Sequence, residues 1–232
     1  VSHQDADGAE DLSAKMRDYL VEIYRLSERH PDQEYVSTSV LAEILMVTPP
    51  AVNRMVTRLR QQNLVEHAPY QGIKLTPEGQ REARIRLRAH RIAEAFLAEV
   101  MGLGWQEIYS EAGRMSAGLT DVLLDRMWEM AGKPNFCPHG EPIPAPDGSI
   151  AVLDDLPLTE SPVGVPLTIT RVQTRDADRL NYLKALGLMP GRPVTVHHMA
   201  PFSGPIQLRL KDEYRIIGHN LAEQIRAFKA NP

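Results

Sequence analysis

Apolar residues recur at helical spacing from Leu12 onward. Met16, Leu20, Ile23, Tyr24 and Leu26 make one face of an amphipathic helix that stops before His30-Pro31. Ser37 or Ser39 can cap a short second helix over residues 40–45. Thr48-Pro49-Pro50 then supplies a turn, an N-cap and early-helix prolines for a third helix, running from about residue 50 to 62. Val52, Met55, Val56 and Leu59 form its apolar face, which leaves Asn53, Arg54, Thr57, Arg58 and Arg60 on the others. Leu64-Val65 and Ile73-Lys74-Leu75, separated by Pro69-Tyr70-Gln71-Gly72, read as a hairpin. Helix, helix, turn, helix, hairpin is the order of a winged helix-turn-helix.

From Thr76-Pro77-Glu78-Gly79 a long helical stretch continues to about Met101, where Gly102 and Gly104 break it. A further helix over 106–131 carries Ile108, Ala112, Met115, Leu119, Val122, Leu123, Met127 and Met130 on a broad stripe. Helices with such wide apolar faces are expected to pack on each other and on a symmetry mate. Residues 133–166 are proline-rich and read as a loop or tether. Beyond them 167–172, 194–197, 206–210 and 214–217 alternate like strands, interrupted by a short helix over 178–188 that Gly187 closes. The expected architecture is mainly α in an N-terminal winged helix-turn-helix and a helical dimerisation domain, followed by a small all-β barrel. The expected divisions are a flexible tail at 1–11, a DNA-binding domain at 12–76, a dimerisation and metal-binding domain at 77–145, a linker at 146–163 and the β domain at 164–232.

Charge sharpens this division. The chain of 232 residues carries a formal net charge of -4, but residues 12–90 hold twelve Lys/Arg against nine Asp/Glu, a net of +3 that leaves -7 for the remainder. A basic front half joined to an acidic remainder fits a nucleic-acid-binding module attached to something else. The single cysteine, Cys137, excludes an intrachain disulfide and fits a reducing cytoplasm. No apolar run approaches the roughly 18–20 residues that span a bilayer, and no basic-then-apolar pattern opens the chain, so no membrane partner is expected.

Two sets of residues carry chemistry. A helix that enters the DNA major groove needs short polar side chains at its N-terminus to meet base edges, and cations farther along or on a wing to hold phosphates. Thr48, Asn53 and Arg54 suit the first need, with Pro50 beside them at the helix start as a further DNA-facing position, and Arg58, Arg60 and Lys74 suit the second. The second set could hold a metal. His90 and Glu94 stand at i and i+4 and project from one helix face, as a shared ion or an ordinary ion pair would require. Cys137 and His139 stand two apart in an extended loop, where thiolate and imidazole can converge on one cation. Asp18, Asp176 and Asp178 add hard oxygen donors. Residues two apart in a loop rarely hold a base against a nucleophile, and no third orienting group or Gly-rich oxyanion loop accompanies Cys137 and His139, so no enzyme is expected.

Taken together these segments resemble the diphtheria toxin repressor family, in particular its manganese-responsive three-domain members. The likeness rests on Asp18-Tyr19-Leu20-Val21-Glu22-Ile23-Tyr24, Pro50-Ala51-Val52, Leu75-Thr76-Pro77-Glu78-Gly79 and Ala89-His90-Arg91-Ile92-Ala93-Glu94. It extends through Cys137-Pro138-His139-Gly140-Glu141-Pro142-Ile143-Pro144 and through Tyr182-Leu183 to Leu186-Gly187-Leu188-Met189-Pro190-Gly191, a segment like the SH3-like ferrous-transport module. The resemblance implies a homodimeric, metal-dependent repressor that binds double-stranded operator DNA upstream of metal-uptake genes. It places Asp18 and His90 on a primary regulatory site, where an aspartate suits Mn(II), with Fe(II) also possible. Glu94, Cys137, His139 and Asp176 fall on a second site. The positions that normally complete the primary site read Gly113, Ser116 and Ala117, so three donors are missing. Sensing is therefore expected at the second site. The alternative is a dimeric winged-helix regulator that has lost primary-site sensing and answers to another ligand or partner.

Overall fold

The computed structural model describes residues 12–29 and 32–229, and the tail expected at 1–11 lies outside them. The chain divides into two compact units, Val1–Leu87 with Ala145–Ser149, and Arg88–Pro144 with Ile150–Pro232.

The first unit is built from α1 (Ala14–Arg29), α2 (Thr38–Ile44), α3 (Pro49–Gln61), a hairpin of β1 (Val65–Ala68) and β2 (Gly72–Leu75), and the start of α4 (Pro77–Glu99). Its core collects the apolar faces read from the sequence, among them Leu20, Ile23, Leu41, Val52, Leu59 and Ile73, all with no solvent exposure. Thr48 takes the N-cap position of α3 in an extended conformation, and its carbonyl accepts from Ala51 and Val52 at 2.9 and 3.2 Å. Pro49 and Pro50 cost the helix nothing there, because the first N–H groups lack partners anyway. The hairpin pairs Val65 with Leu75 through to Ala68 with Gly72, and Val36 adds a bridge to Ile73 through bonds of 2.8 and 2.9 Å. Gly72, at φ 133°, permits that bridge: a Cβ there would meet the Val36 carbonyl oxygen at 2.3 Å.

The second unit holds the rest of α4, then α5 (Ile108–Ser116) and α6 (Asp121–Met130). The sequence pattern predicted one helix over 106–131. Gly118 disfavours helix, and Thr120, at φ -82° and ψ 160°, starts a new one with Asp121 in its first turn, so the stripe is carried by two helices. A six-stranded antiparallel sheet follows, of β3 (Leu156–Pro157), β4 (Pro166–Val172), β5 (Pro193–Met199), β6 (Ile206–Leu210), β7 (Glu213–Ile217) and β8 (Ile225–Lys229), in the order β3-β8-β4-β5-β6-β7. The order ends at β3 and β7, so hydrogen bonding among the described residues does not close the expected barrel. Register shifts in β4 and β5 bend the sheet instead. The helices α7 (Ala177–Ala185) and α8 (His219–Ala222) lie between strands. Among the described residues no helix is long and apolar enough to cross a membrane.

A buried carboxylate ties the proline-rich tether to this sheet. Asp155 accepts from Thr170 Oγ1 at 2.6 Å, from both the Nε and Nη2 of Arg171 at 3.0 Å, and from Arg226 Nε at 2.7 Å. Burial by itself would raise the Asp155 pKa, but the Arg171, Thr170 and Arg226 hydrogen bonds outweigh it and hold the carboxyl below its ordinary value. Removing one partner of such a pair leaves the others buried and uncompensated. Asp155→Ala should therefore cost about 3–5 kcal/mol in urea denaturation. A loss under about 1 kcal/mol would show that water replaces the carboxylate. Because the folded pKa is depressed, this contribution is fully present above the unfolded value of about 3.9 and fades as pH falls through the folded one.

Candidate metal centre and nucleic-acid interface

Glu94, Cys137 and His139 converge in the second unit. All three are buried, and one ligand atom from each lies within 4.8 Å of the other two. Glu94 projects from α4, one helical turn beyond His90, whose Nε2 is 3.5 Å from Glu94 Oε1. The same oxygen is 3.3 Å from His139 Nδ1. Cys137 and His139 come from a loop that folds back on itself, with Cys137 N–H donating to Glu141 O at 2.9 Å and Gly140 N–H to Cys137 O at 2.8 Å.

The loop is pressed against β4. Val172 N–H donates to His139 O at 2.9 Å, and Gly140, at φ 84°, lies where a Cβ would be 2.0 Å from Thr170 O. Arginines of α4 hold its other side. Arg91 donates to Pro142 O at 2.6 Å and to Glu141 Oε2 at 3.2 Å, and Arg88 donates to Pro144 O at 2.9 Å. Arg171 reaches the same Glu141 oxygen at 3.3 Å. Prolines offer carbonyls but no N–H, so donors from the helix suit this segment.

The tautomer of His139 follows from its partner. His139 Nε2 is 3.0 Å from Trp105 O, and a carbonyl can only accept, so Nε2 carries the hydrogen. His139 Nδ1 then faces Glu94 Oε1 across 3.3 Å, in a gap sealed from water that either a proton or a cation can fill. The Trp105 indole in turn donates to Pro138 O at 3.1 Å, which fixes the same turn from outside. Burial pushes the Glu94 carboxyl up, but His139 and His90 outweigh it and hold it well below the ordinary range. Burial, and then the Glu94 charge, push the Cys137 thiol well above its ordinary value. Thiol, imidazole lone pair and carboxylate within one radius are a donor set that fits a divalent transition metal.

Other expected ligands lie elsewhere. Asp18, on α1 in the first unit, pairs with Arg86 at 3.6 Å with its side chain half exposed. Asp176 is the exposed N-cap of α7 and accepts from Arg179 N–H at 2.9 Å, so it is not among the three residues that converge. Gly113 stands where a Cβ would lie 3.7 Å from His90 Cε1 and brings no donor, and Ser116 is buried while Ala117 ends α5. Sequence reasoning passed over Trp105 and gave no role to Glu141, Arg91 and Arg171. A tryptophan just beyond a helix-breaking glycine, and a glutamate directly after Cys137-Pro138-His139-Gly140, were the available signals.

In the first unit α3 presents Asn53, Arg54, Thr57, Arg58 and Arg60 to solvent, with Thr48 and Pro50 exposed at its start. Thr57 Oγ1 is turned inward on Asn53 O at 2.9 Å. Among the described residues Arg54, Arg58 and Arg60 enter no ion pair, whereas Lys74 on β2 is held by Glu34 at 2.8 Å. Of the cations expected on this face, the three arginines are the ones that no carboxylate holds among the described residues.

Three family models match successive parts of the chain: the iron-dependent repressor N-terminal DNA-binding domain at 11–73, the iron-dependent repressor metal-binding and dimerisation domain at 76–145, and the FeoA domain at 156–227. The iron-dependent repressor IdeR of Mycobacterium leprae is 30% identical over 201 residues, covering 82% of this chain and 87% of the relative. The diphtheria toxin repressor of Corynebacterium glutamicum is 28% identical over 189 residues, covering 77% and 81%. Among solved structures, a manganese-dependent transcriptional repressor in complex with manganese superposes with a TM-score of 0.83 at 27% identity, covering 93% of this chain and all of that one. ScaR with bound Zn2+ gives 0.80 at 28% identity, covering 93% and 99%. Agreement over most of both chains, in sequence and in fold, makes this chain a member of the iron-dependent, or diphtheria toxin, repressor family.

Proposed function

We propose that this chain is a metal-dependent DNA-binding transcriptional repressor, controlled by a divalent transition metal held by Glu94, Cys137 and His139. Three modules carry it: a winged helix-turn-helix at 12–76, a dimerisation and metal-binding module at 77–145, and an SH3-like module at 164–232 after a linker at 146–163. It works as a homodimer in the cytoplasm on double-stranded operator DNA of metal-uptake genes, and it is a regulator rather than an enzyme. The convergence of three buried donors is the observation that carries the metal reading. Exposed apolar residues on α6, with Val122 79% exposed beside Leu123 and Met130, support a dimer, since such patches usually mark an interface. Iron, manganese and zinc are among the ions named for the relatives, and the case for Mn(II) from the sequence drew on Asp18, which pairs with Arg86.

When bound, the ion supplies positive charge that neutralises Glu94 and a Cys137 thiolate together. The side chains do the rest. Glu94 offers a carboxylate already ionised, His139 offers Nδ1 because Trp105 O holds the other nitrogen, and Cys137 gives up its proton. Glu94 belongs to α4 and the other two to the loop bonded to β4, so an ion shared among them restrains the loop against the helix. That restraint favours one arrangement of the chain over others, a population shift set by differential affinity. Thr48, Pro50, Asn53 and Arg54 would read bases, and Arg58 and Arg60, with Lys74 if it leaves Glu34, would hold phosphates.

Two outcomes test this reading. In an operator titration by fluorescence anisotropy, Arg58→Ala should weaken binding across sequences and lower the salt slope by about one, whereas Arg54→Ala should cost about 1–3 kcal/mol and relax specificity. Equal loss on operator and random DNA for Arg54→Ala would remove its base-reading role. For the metal, calorimetry in buffers of differing ionisation enthalpy should show about one proton released per ion, and affinity should rise about tenfold per pH unit below the thiol pKa. Cys137→Ser should abolish both the proton release and the metal-induced gain in operator affinity. An unchanged titration would remove the site.

A further inference from the structure

The six-stranded sheet is finished differently at its two ends. At one end β3 is two residues long and includes Pro157, which offers no N–H to a further strand. At the other end β7 runs over Glu213–Ile217 without a proline. Among the described residues no backbone hydrogen bond joins residues 213–217 to any element but β6. The turn Lys211-Asp212, with Lys211 at φ 54°, pairs Leu210 with Glu213. A two-residue turn makes that closing pair a hydrogen-bonded one, and antiparallel bonding then alternates. Tyr214 and Ile216 therefore point N–H and C=O away from β6. Tyr214 O is met there only by its own neighbour, the Arg215 guanidinium, at 3.1 Å.

The side chains of this strand are as open as its backbone. Tyr214 is 48% and Ile216 61% exposed, both on one face, and apolar side chains on an unpaired edge invite another strand. Glu213 and Arg215 alternate with them on the other face and pair with each other. We propose that β7 is a second self-association surface, which pairs antiparallel with β7 of a second copy of this chain, Tyr214 opposite Tyr214, and so joins one dimer to another. The step from dimer to tetramer rests on the dimer proposed above; the edge pairing does not.

Charge selects both the occupant and the register. With Tyr214 opposite its counterpart, the two tyrosines exchange both backbone bonds. Glu213 of each copy then faces Arg215 of the other in a non-hydrogen-bonded pair, where Cα atoms approach to about 4.5 Å and side chains are closest. The ion pair within each strand is exchanged for two between strands, and no charge is left alone. Ile216 lies diagonal to Tyr214 of the second copy, within reach of an aromatic ring. Centring the pair on Arg215 instead would set two guanidinium groups face to face, which is unfavourable. The strand is thus complementary to itself in one arrangement. Such an isologous contact, added to one made by the helical module, builds a closed tetramer or a row of dimers. One short strand buries little area, so this association is weak and concentration-dependent.

Sedimentation velocity of the full-length protein over rising micromolar concentrations tests the proposal. The parent should move from dimer toward a species of twice that mass. Arg215→Glu sets carboxylate against carboxylate, Glu213→Arg sets guanidinium against guanidinium, and each should weaken this step about tenfold or more. The double variant E213R/R215E restores opposite charges and should recover the parent's association. An equimolar mixture of the two single variants should associate where neither does alone. Circular dichroism and unfolding midpoints matching the parent's would show that the variants keep the fold. A parent that stays dimeric at every concentration overturns the proposal. So does Arg215→Glu associating like the parent, or a double variant as weak as the single ones, an outcome that would leave the edge to a strand of another protein. If the parent instead passes from monomer to dimer under the same charge control, the edge pairing stands and the α6 interface falls.

Discussion

A carboxylate cannot be taken out of water for nothing, and Glu94 lies buried about three-quarters of the way along α4. Charging it there costs several kcal/mol unless partners compensate. His90 supplies one partner from the same helix face, and His139 supplies another from a loop more than forty residues away. The arrangement satisfies Glu94 with groups that are themselves metal ligands. A proton shared with an imidazole or a cation shared with imidazole and thiolate can occupy the same gap. The buried charge therefore ties helix to loop and leaves between them a gap whose donors suit a cation.

The loop that brings Cys137 and His139 to Glu94 is short of backbone donors, because prolines punctuate it, and it is held by what surrounds it. Arg88 and Arg91 bind its carbonyls from α4, Glu141 is shared between Arg91 and Arg171, and Asp155 links Arg171 to Arg226 on β8. Charged groups alternate along this chain of contacts, so each buried ion has an opposite neighbour. Gly140 lets the loop lie on β4 at a distance no side chain would tolerate. Position and tautomer of His139 are thus set by backbone contacts to Val172 and Trp105 before any ion arrives. Such preorganisation suits a sparse donor set, because little ordering would be left for an ion to impose.

Much of this was legible in the sequence. The 3.6-residue period located α1, α3 and α4 within a few residues, and the alternation located β4, β5, β6 and β7. Where the pattern failed, a local signal had been outvoted. Gly118 and Thr120 end one helix and begin another inside a stripe that reads as continuous. The strand β3 is two residues long, too short for any period, and β8 carries its alternation over only Ile225, Arg226 and Ala227. For the site, the spacing of His90 to Glu94 and of Cys137 to His139 gave both halves, since each is local.

By itself the sequence determined the elements, the exposed arginines of α3 and the two local pairs, His90 with Glu94 and Cys137 with His139. These follow from neighbours along the chain, which helical or extended geometry places without outside help. Tertiary structure decided which pairs meet. It joined Glu94 to Cys137 and His139, gave Asp18 to Arg86 and Asp176 to the start of α7, and brought His90 to the Glu94 carboxylate. Those choices depend on the path of a proline-rich loop clamped between α4 and β4, which long-range hydrogen bonds and burial fix and which periodicity does not record.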